Sequence, residues 1–429
     1  MNGRQKAPMR VLSLVRAFGG LKPSLAAGKW EPAGVPAIYR LLEGLGGDPE
    51  VELLNVFAVK ENDARFPRVH RLSLPRIGDA IILPYRNWLG SRLRRANTAI
   101  TELEAACRIL AIAARFRPHL VYATYANILP AALLARLGHR GVVLRFMGIM
   151  PHHREIAAGG LPPFRWLLRS PFAHAVCTEE GSGPSVVLPK LLDPNTPLTV
   201  RLNGCDMTAL SEPERRAARA ANGFGARPLI AFVGRLEPYK GCLEFIDAVL
   251  MLLSDSPDCA DVVVVGDGPL RAAMEARVRQ AGQLARVHIV GSQPHDQVRN
   301  YVGAADIYVS TNMYGNLSNA NLEALAAGAC LVLPSSDPAV PLDTTTDALI
   351  PADVALRYER AQLPGSLAGA LRGLVTAPEE VARRRANAAA LAKRLIKPWA
   401  QSVAEDVGLL KSIARRHAVS ATAALPTAS

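Results

Sequence analysis

The stretch DIYVSTNMYGNLSNANLEALAAGACLVLP, residues 306–334, contains a complete strand–loop–helix–strand unit. A short apolar strand leads into a polar loop rich in Asn, Gly and Ser, and a helix then begins at Ser318 or Asn319 and ends at Gly328. A second apolar strand stops at Pro334, which lacks the N–H that a strand needs. Strands that alternate with helices in this way indicate a parallel sheet covered by helices.

The same alternation fills most of the 429 residues, in two blocks. Further strands are predicted at 10–15, 51–56, 120–123, 142–146 and 173–177 in the first block, and at 229–233, 261–265 and 286–290 in the second. A chain of this length is expected to form two domains. We predict an N-terminal domain at 1–210, a charged linker at 211–227, and a C-terminal domain at 228–397. A helix at 398–416 follows, whose return to the N-terminal domain is left open, and then a disordered tail at 417–429.

Composition limits the function classes. The formal net charge of +13 favours an anionic partner, but no zinc-finger or aromatic RNA-binding pattern supports nucleic acid. No apolar run reaches the roughly 18 residues of a membrane-spanning helix. The six cysteines are scattered without a C-x-x-C pair, which favours reduced thiols and a cytoplasmic location.

The loop and helix of the opening stretch predict an anion site. Free N–H groups and the positive end of the helix dipole favour a phosphate at a helix N-terminus. Asn316, Leu317, Ser318 and Asn319 surround this N-terminus in the sequence. Glu323 lies one turn further on, where a carboxylate can accept hydrogen bonds from a ribose diol. The alternative for Glu323 is an ordinary surface charge.

A second motif, FVGRLEPYKG at 232–241, places two cations after a strand. Gly234 allows the turn, so Arg235 and Lys240 are expected at the same edge of the sheet as the polar loop. Two cations directed at one point suit a diphosphate. The alternative is a solvated pair on a surface loop. Weaker signals are Gly268 in VVVVGDGP and Gly291 after the next strand, each equally consistent with a structural turn.

Together these motifs resemble the retaining GT-B glycosyltransferases of family 4 (glycosyl transferases group 1). The resemblance covers about 198–351 and rests on NGCD, FVGRLEPYKG, VVGDGP, VHIVGSQP, ADIYVS and LSNANLEALAAGACLVLP. It implies two doubly wound Rossmann-like α/β domains that face each other across a cleft. It also implies that Arg235 and Lys240 hold the donor diphosphate and stabilise the leaving group, and that Glu323 holds the ribose. Gly34 corresponds to the glycine-rich loop beside the donor.

Two positions depart from the family pattern. Gly315 stands where the family has a Glu that contacts the transferred sugar, and Asn316 or Asn319 is a candidate replacement. Met147 stands where the family often has a His. The candidate residues for the acceptor or sugar side are Arg145, His152 and His153. The alternative for the two histidines is that they are ordinary surface residues.

The resemblance therefore implies transfer of a hexose from a nucleoside-diphosphate sugar to a glycan or lipid-linked acceptor, in cell-envelope or exported polysaccharide synthesis. No cofactor is expected, and the absence of Asp-x-Asp gives no case for a catalytic metal. A catalytically inactive sugar-nucleotide-binding protein is the main alternative, and a dinucleotide oxidoreductase is disfavoured by the lack of G-x-G-x-x-G. A basic segment with an interleaved tryptophan suggests contact with an anionic membrane, and its residues are Arg86, Trp88, Arg92, Arg94 and Arg95. The alternative is that this segment is only the solvated start of a helix.

Overall fold

A computed structural model describes residues 7–90 and 93–423, with side chains described as far as residue 417. The chain divides into two compact units. The N-terminal unit contains the chain up to Thr178, the segment Pro184–Arg201, and the last helix from Trp399. The C-terminal unit contains Glu179–Gly183 and Leu202–Pro398.

The N-terminal unit is built on an eight-stranded sheet over the described residues. Its strands are β1 Met9–Arg16, β2 Val51–Ala58, β3 His70–Leu74, β4 Gly78–Leu83, β5 Leu120–Thr124, β6 Val142–Phe146, β7 His174–Thr178 and β8 Leu198–Arg201. They lie in the order β3-β4-β2-β1-β5-β6-β7-β8, and the β3–β4 pair is antiparallel while the other pairs are parallel.

The C-terminal unit is built on a six-stranded sheet, counted over the same described part of the chain. Its strands are β9 Leu229–Val233, β10 Asp261–Val265, β11 Val287–Gly291, β12 Ile307–Val309, β13 Cys330–Pro334 and β14 Ala355–Tyr358. The order is β11-β10-β9-β12-β13-β14 with parallel pairing throughout, so the carboxyl ends of the strands meet at one edge.

The α-helices cover both faces of each sheet. In chain order they are α1 Lys22–Ala26, α2 Pro36–Gly46, α3 Arg94–Phe116, α4 Ile128–Arg136, α5 Pro151–Ala157, α6 Pro162–Leu168, α7 Pro184–Leu191, α8 Glu212–Ala221, α9 Cys242–Asp255, α10 Arg271–Gln280, α11 His295–Ala304, α12 Asn319–Ala326, α13 Thr344–Leu349, α14 Gly365–Val375, α15 Pro378–Leu395 and α16 Trp399–Ala423.

The strand cores show why the helices are needed on both faces. In β6, Leu144 packs into one apolar cluster and its neighbour Val143 into another, on opposite sides of the sheet. In β9, Ala231 and Ile230 divide in the same way. Such strands must be covered on both faces, which is typical of parallel sheets with crossover helices.

Helix α16 belongs to the N-terminal unit. Leu410 and Ile413 pack in the same cluster as Leu41 and Leu45 of α2, and Lys411 Nζ lies 2.8 Å from Asp48 Oδ2. Residues 417–423, predicted to be disordered, continue this helix, and residues 424–429 of the predicted tail lie outside the described residues.

The segment predicted as a linker is part of the C-terminal unit. Most of it forms α8, whose start carries a capping box between Ser211 and Glu214. Arg215 and Arg219 on this helix both form ion pairs with Asp306, which precedes β12. The prediction of a linker at 211–227 is therefore wrong, because these charges are used in ion pairs rather than left in solvent.

Candidate functional site

Three of the predicted glycines lie at neighbouring strand ends of the C-terminal sheet. Gly234 follows β9, Gly268 follows β10, and Gly291 ends β11. The backbone approaches closely here, because a β-carbon at Gly268 would lie 2.6 Å from the carbonyl oxygen of Leu236. A β-carbon at the neighbouring Gly266 would lie 1.9 Å from the carbonyl oxygen of Gly234. Glycine at these positions keeps this edge of the sheet open and free of side chains.

Arg235 and Lys240 approach the same aromatic ring. The guanidinium carbon of Arg235 lies 5.7 Å from the ring centroid of Tyr239, and Lys240 Nζ lies 5.5 Å from it. Arg235 also donates a hydrogen bond to the Tyr239 hydroxyl and pairs with Glu237 at 2.7 Å. The two predicted cations are thus brought together at the end of β9, with Arg235 the more exposed of the two.

The turn that carries Lys240 is tied to the loop after β12. The Thr311 hydroxyl lies 2.7 Å from the carbonyl oxygen of Lys240, and the N–H of Met313 donates to the carbonyl oxygen of Tyr239 at 2.9 Å. Tyr239 and Tyr314 stack with ring centroids 5.8 Å apart. These contacts fix the lysine turn against the polar loop, two segments about 70 residues apart in the sequence.

Lys240 and Ser318 line one small cavity of about 10 Å³ in the C-terminal unit, together with Ser310, Asn312 and Asn321. Ser318 is the N-cap of α12, and its side chain makes no capping hydrogen bond to that helix. Burial lowers the pKa of Lys240 from its usual value, while the charge of Glu180 opposes this shift. A lysine beside a helix N-terminus attracts an anion through both its charge and the helix dipole.

Two loop residues do not take the role predicted for them. The N–H of Leu317 donates to the carbonyl oxygen of Glu180 at 3.0 Å. The side chain of Asn316 is fully buried and bonds to Ser310, Asn312, Asn321 and Asp343. The predictions that Leu317 offers its amide to a phosphate and that Asn316 contacts a sugar are corrected, because both groups hold the loop itself in place.

Asn319 and Glu323 differ in how they are held. The Asn319 side-chain oxygen accepts a hydrogen bond from Asn203 Nδ2 at 2.7 Å, so this oxygen is also part of the internal structure. Glu323 is largely buried, and burial raises the pKa of its carboxyl to about 7. His295 Nε2 lies 3.8 Å from Glu323 Oε1. A carboxyl with such a pKa in a site of this kind is a candidate for ligand binding.

An ion pair that no sequence motif predicts lies beneath the loop. Arg360 Nη2 lies 2.6 Å from Asp343 Oδ2, and Asp343 is fully buried. Burial raises the pKa of Asp343 to about 6, against the opposing effect of the Arg360 charge. Arg360 also donates to the carbonyl oxygen of Asn312 at 2.9 Å. In the sequence, Asp343 and Arg360 are isolated charged residues in two separate loops, and no motif indicates that they form a pair.

The N-terminal unit brings the other predicted residues together. Arg145, His152 and His153 line one cavity of about 230 Å³, along with Met147. Gly34 has a φ of +92° and lies next to this cavity. A β-carbon built on Gly34 would lie 3.7 Å from the Phe18 ring. The two histidines contact each other, with ring centroids 4.1 Å apart, and His153 is 2% exposed. His153 is therefore not the surface histidine considered from sequence.

In the described part of the chain, no group of three or more His, Cys, Asp or Glu side chains is arranged to hold a metal ion. Within the same residues, every helix is too short or too polar to cross a bilayer.

Comparisons with known proteins give a consistent result. Residues 214–342 match the family model described as glycosyl transferases group 1. The chain is 35% identical over 120 residues to the 2-deoxystreptamine glucosyltransferase of Streptomyces kanamyceticus, a match that covers 28% of this chain and 31% of that enzyme. It is 26% identical over 373 residues to the alpha-maltose-1-phosphate synthase of Mycolicibacterium smegmatis, covering 80% of this chain and 90% of that enzyme.

Among solved structures, the fold resembles Anabaena Alr3699/HepE, which was crystallised in complex with UDP. The TM-score is 0.62 with 15% sequence identity, and the match covers 97% of this chain and 100% of the other. At this identity the likeness concerns the fold, and it extends over both units.

Proposed function

We propose that this chain is an active glycosyltransferase with a nucleoside-diphosphate sugar as donor, because residues 214–342 match the glycosyl transferases group 1 model and the chain has the GT-B fold. The observation that carries this proposal is the placement of Arg235 and Lys240 around Tyr239. Lys240 in turn shares a cavity with Ser318 at the start of α12. A diphosphate is the group in a sugar nucleotide that needs such positive charge.

The proposed chemistry breaks the bond between the anomeric carbon and the diphosphate oxygen and forms a bond from that carbon to the oxygen of an acceptor hydroxyl, with retention at the anomeric carbon. The hydroxyl proton passes to the departing diphosphate. Negative charge then develops on the leaving diphosphate, and cations already in place stabilise it without reorganisation. Arg235 and Lys240 would supply this charge in a metal-independent reaction. In its ionised form, Glu323 would accept hydrogen bonds from both ribose hydroxyls through its two carboxylate oxygens. Gly234, Gly268 and Gly291 would let the nucleoside lie against the strand ends.

The relatives support hexose transfer as the class of reaction. One is named as a glucosyltransferase and another as a maltose-1-phosphate synthase, and HepE is known with UDP bound. We propose a hexose donor of the same class and an acceptor that is a glycan or a lipid-linked glycan, in cell-envelope or exported polysaccharide synthesis.

The donor proposal is tested by thermal shift with UDP, GDP, ADP and TDP, because a ligand that binds the folded state raises its stability. We expect one of them to raise the melting temperature. Lys240→Met and Arg235→Ala are each expected to weaken that binding at least tenfold, and Glu323→Gln to weaken it as well. If none of the nucleotides binds, or if both cation variants bind normally, the donor assignment is wrong.

An inactive sugar-nucleotide-binding protein is kept as the second candidate, because Gly315 and Met147 replace two side chains that the family uses near the sugar. Donor turnover separates the two functions. Release of nucleoside diphosphate from the matching sugar nucleotide, slow without acceptor and faster with it, supports the transferase. Saturable binding without transfer or hydrolysis for any donor would favour the second candidate.

We also propose that the protein is cytoplasmic and contacts the membrane surface. The start of α3 and the loop before it expose Trp88, Leu89 and Leu93, of which Trp88 is 69% exposed. The exposed Arg94 and Arg95 lie beside them, while Arg92 lies outside the described residues. Apolar side chains next to arginines suit an anionic bilayer surface.

A further inference from the structure

Glu180 fills the place at which the polar loop has no room for a side chain. A β-carbon built at Gly315 would lie 2.2 Å from the carbonyl oxygen of Glu180. The same carbonyl oxygen accepts the N–H of Leu317 at 3.0 Å. A residue's Cα lies roughly 2.4 Å from its own carbonyl oxygen, so the Cα of Glu180 is within roughly 5 Å of that β-carbon. A glutamate thus reaches this part of the site from another segment of the C-terminal unit.

The segment that carries Glu180 is fixed against the rest of the C-terminal unit. Glu179 is 4% exposed, and its Oε1 accepts the N–H of Gly181 at 2.9 Å. The carbonyl oxygen of Gly181 accepts the N–H of Asp343 at 2.6 Å. A β-carbon at Gly181 would lie 2.7 Å from the backbone nitrogen of Asn316. Glu179 therefore holds the segment from inside, whereas Glu180 is only half-buried and keeps part of its surface in contact with solvent.

The carboxylate of Glu180 lies close to the ammonium group of Lys240. Burial lowers the pKa of Lys240, and the charge of Glu180 is the largest of the charges that oppose this shift. A diphosphate held at Lys240 would therefore have a carboxylate at its margin. This carboxylate cannot face the phosphate oxygens, because like charges repel. It has to face a neutral part of the substrate that donates hydrogen bonds, since an ionised carboxylate is an acceptor only.

We propose that Glu180 accepts hydrogen bonds from hydroxyl groups of the sugar that the donor carries. The sugar is bonded directly to the diphosphate that Lys240 would hold, so its hydroxyls come within reach of a carboxylate near this lysine. The two carboxylate oxygens can accept from two neighbouring hydroxyls. Gly315 has no side chain for this contact, and the side chain of Asn316 is already used inside the loop. This role rests on the proposed function, because it requires a sugar nucleotide at Lys240.

The test compares sugar nucleotides with free nucleotides, by isothermal titration calorimetry of the full-length protein. The pairs are UDP-glucose with UDP, GDP-mannose with GDP, ADP-glucose with ADP, and TDP-glucose with TDP. For the sugar nucleotide that the wild type binds most tightly, Glu180→Ala is expected to weaken binding at least tenfold, because hydrogen bonds to an ionised group are strong. The matching free nucleotide should bind Glu180→Ala as tightly as the wild type or more tightly, because a negative charge near the diphosphate is removed.

The results separate contact with the sugar from other roles of Glu180. Loss of affinity for the sugar nucleotide alone supports the proposal. Equal losses for both ligands would show that Glu180 only positions Lys240, and would overturn it, as would unchanged affinity for both. If the wild type binds none of the free nucleotides, the donor assignment is wrong and this inference falls with it. Binding of a free nucleotide by the wild type keeps the donor assignment whatever Glu180→Ala does.

Three controls concern folding and charge. Glu180→Gln keeps the size of the side chain and one acceptor oxygen, so it should lose less affinity for the sugar nucleotide than Glu180→Ala. Without ligand, both variants should melt close to the wild type, because Glu180 contacts Leu317 through its main chain. Glu244→Gln changes another half-buried carboxylate, on α9, and should bind both ligands as the wild type does.

Deoxy derivatives of the sugar locate the contact by a double-mutant cycle. A sugar nucleotide that lacks a hydroxyl bound by Glu180 should bind the wild type at least tenfold more weakly than the parent compound does. The same derivative should bind Glu180→Ala as tightly as the parent compound does. If every derivative loses the same factor in both proteins, Glu180 does not touch the sugar.

Discussion

A β-carbon built at Gly315 would lie 2.2 Å from the carbonyl oxygen of Glu180. The same carbonyl accepts the N–H of Leu317, so the segment with Glu180 lies directly against the polar loop. Gly315 also has a φ of +133°, a conformation that other residues rarely adopt. The position at which the family carries a Glu is therefore closed to any side chain in this protein, and a carboxylate cannot occupy it without moving the backbone.

Gly315→Ala is expected to destabilise the protein by about 3 kcal/mol or more, because it combines backbone strain with a clash against backbone atoms. Chemical denaturation of the purified variant measures this loss. Gly282→Ala is the matched control, since Gly282 also has a positive φ, of +69°, but has open space around its missing β-carbon. It is expected to cost about 1 kcal/mol. Equal losses in the two variants would show that the contact with Glu180 is not constraining.

Glu323 is expected to make the protein less stable as the pH rises. Its pKa is about 7 in the folded state, raised by burial from 4.5, so the folded state holds the proton more tightly than the unfolded state. The folded state therefore loses stability between about pH 4.5 and 7, by roughly 3 kcal/mol at most. Glu323→Gln removes this loss and should exceed the wild type in unfolding free energy at pH 8, but not at pH 4.

The measurement is chemical denaturation of both proteins at pH 4, 6 and 8. Glu379→Gln, at the exposed start of α15, serves as the control and is expected to differ little from the wild type at each pH. If the difference between Glu323→Gln and the wild type were the same at pH 4 and pH 8, the buried carboxyl would not titrate as described.

Arg360→Met is expected to leave the Asp343 carboxylate buried without its ion-pair partner. Breaking such a pair costs about 3 kcal/mol or more. The pKa of Asp343 is already raised to about 6 with Arg360 present. Losing Arg360 raises it further, so the deficit should be largest at pH 8 and shrink towards pH 4, where the carboxyl is protonated in the folded state of both proteins. Arg372→Met breaks an exposed ion pair with Asp255 and should cost less than about 1 kcal/mol. A pH-independent deficit would contradict this account.

The central strands of both sheets were predictable because they are continuous apolar runs. The strand predicted at 229–233 is found as β9 with the same bounds. Strands β3 and β4 were not predicted, since HRLSL is a short edge segment with only two apolar residues and GDAIIL starts with residues that disfavour strands. The charged pattern of α8 was interpreted as a linker because the carboxylate that pairs with its arginines, Asp306, lies about 90 residues away.

The candidate site was predictable only in part, for a similar reason. Motif spacing placed Arg235 and Lys240 after β9, and the structure brings both to Tyr239. The enclosure of Asn316 and the use of the Leu317 amide depend on Glu180 and Asp343, which belong to other segments. Local sequence describes which groups a loop offers, but not which of them the rest of the fold has already used.

The membrane contact is expected to depend on Trp88 and Leu93. Both are exposed, at 69% and 55%, beside Arg94 and Arg95. Co-sedimentation with vesicles that contain phosphatidylglycerol should retain the wild type, and phosphatidylcholine vesicles should retain much less, because each cation near an anionic surface contributes about 1 kcal/mol. Trp88→Ala with Leu93→Ala should reduce the bound fraction severalfold, and higher salt should reduce it through screening.

Trp166→Ala is the control and should leave binding unchanged. Trp166 is also exposed, at 52%, but the guanidinium carbon of Arg136 lies 3.9 Å from its ring centroid. Equal binding to the two kinds of vesicle, or equal effects of the two tryptophan changes, would rule out this surface.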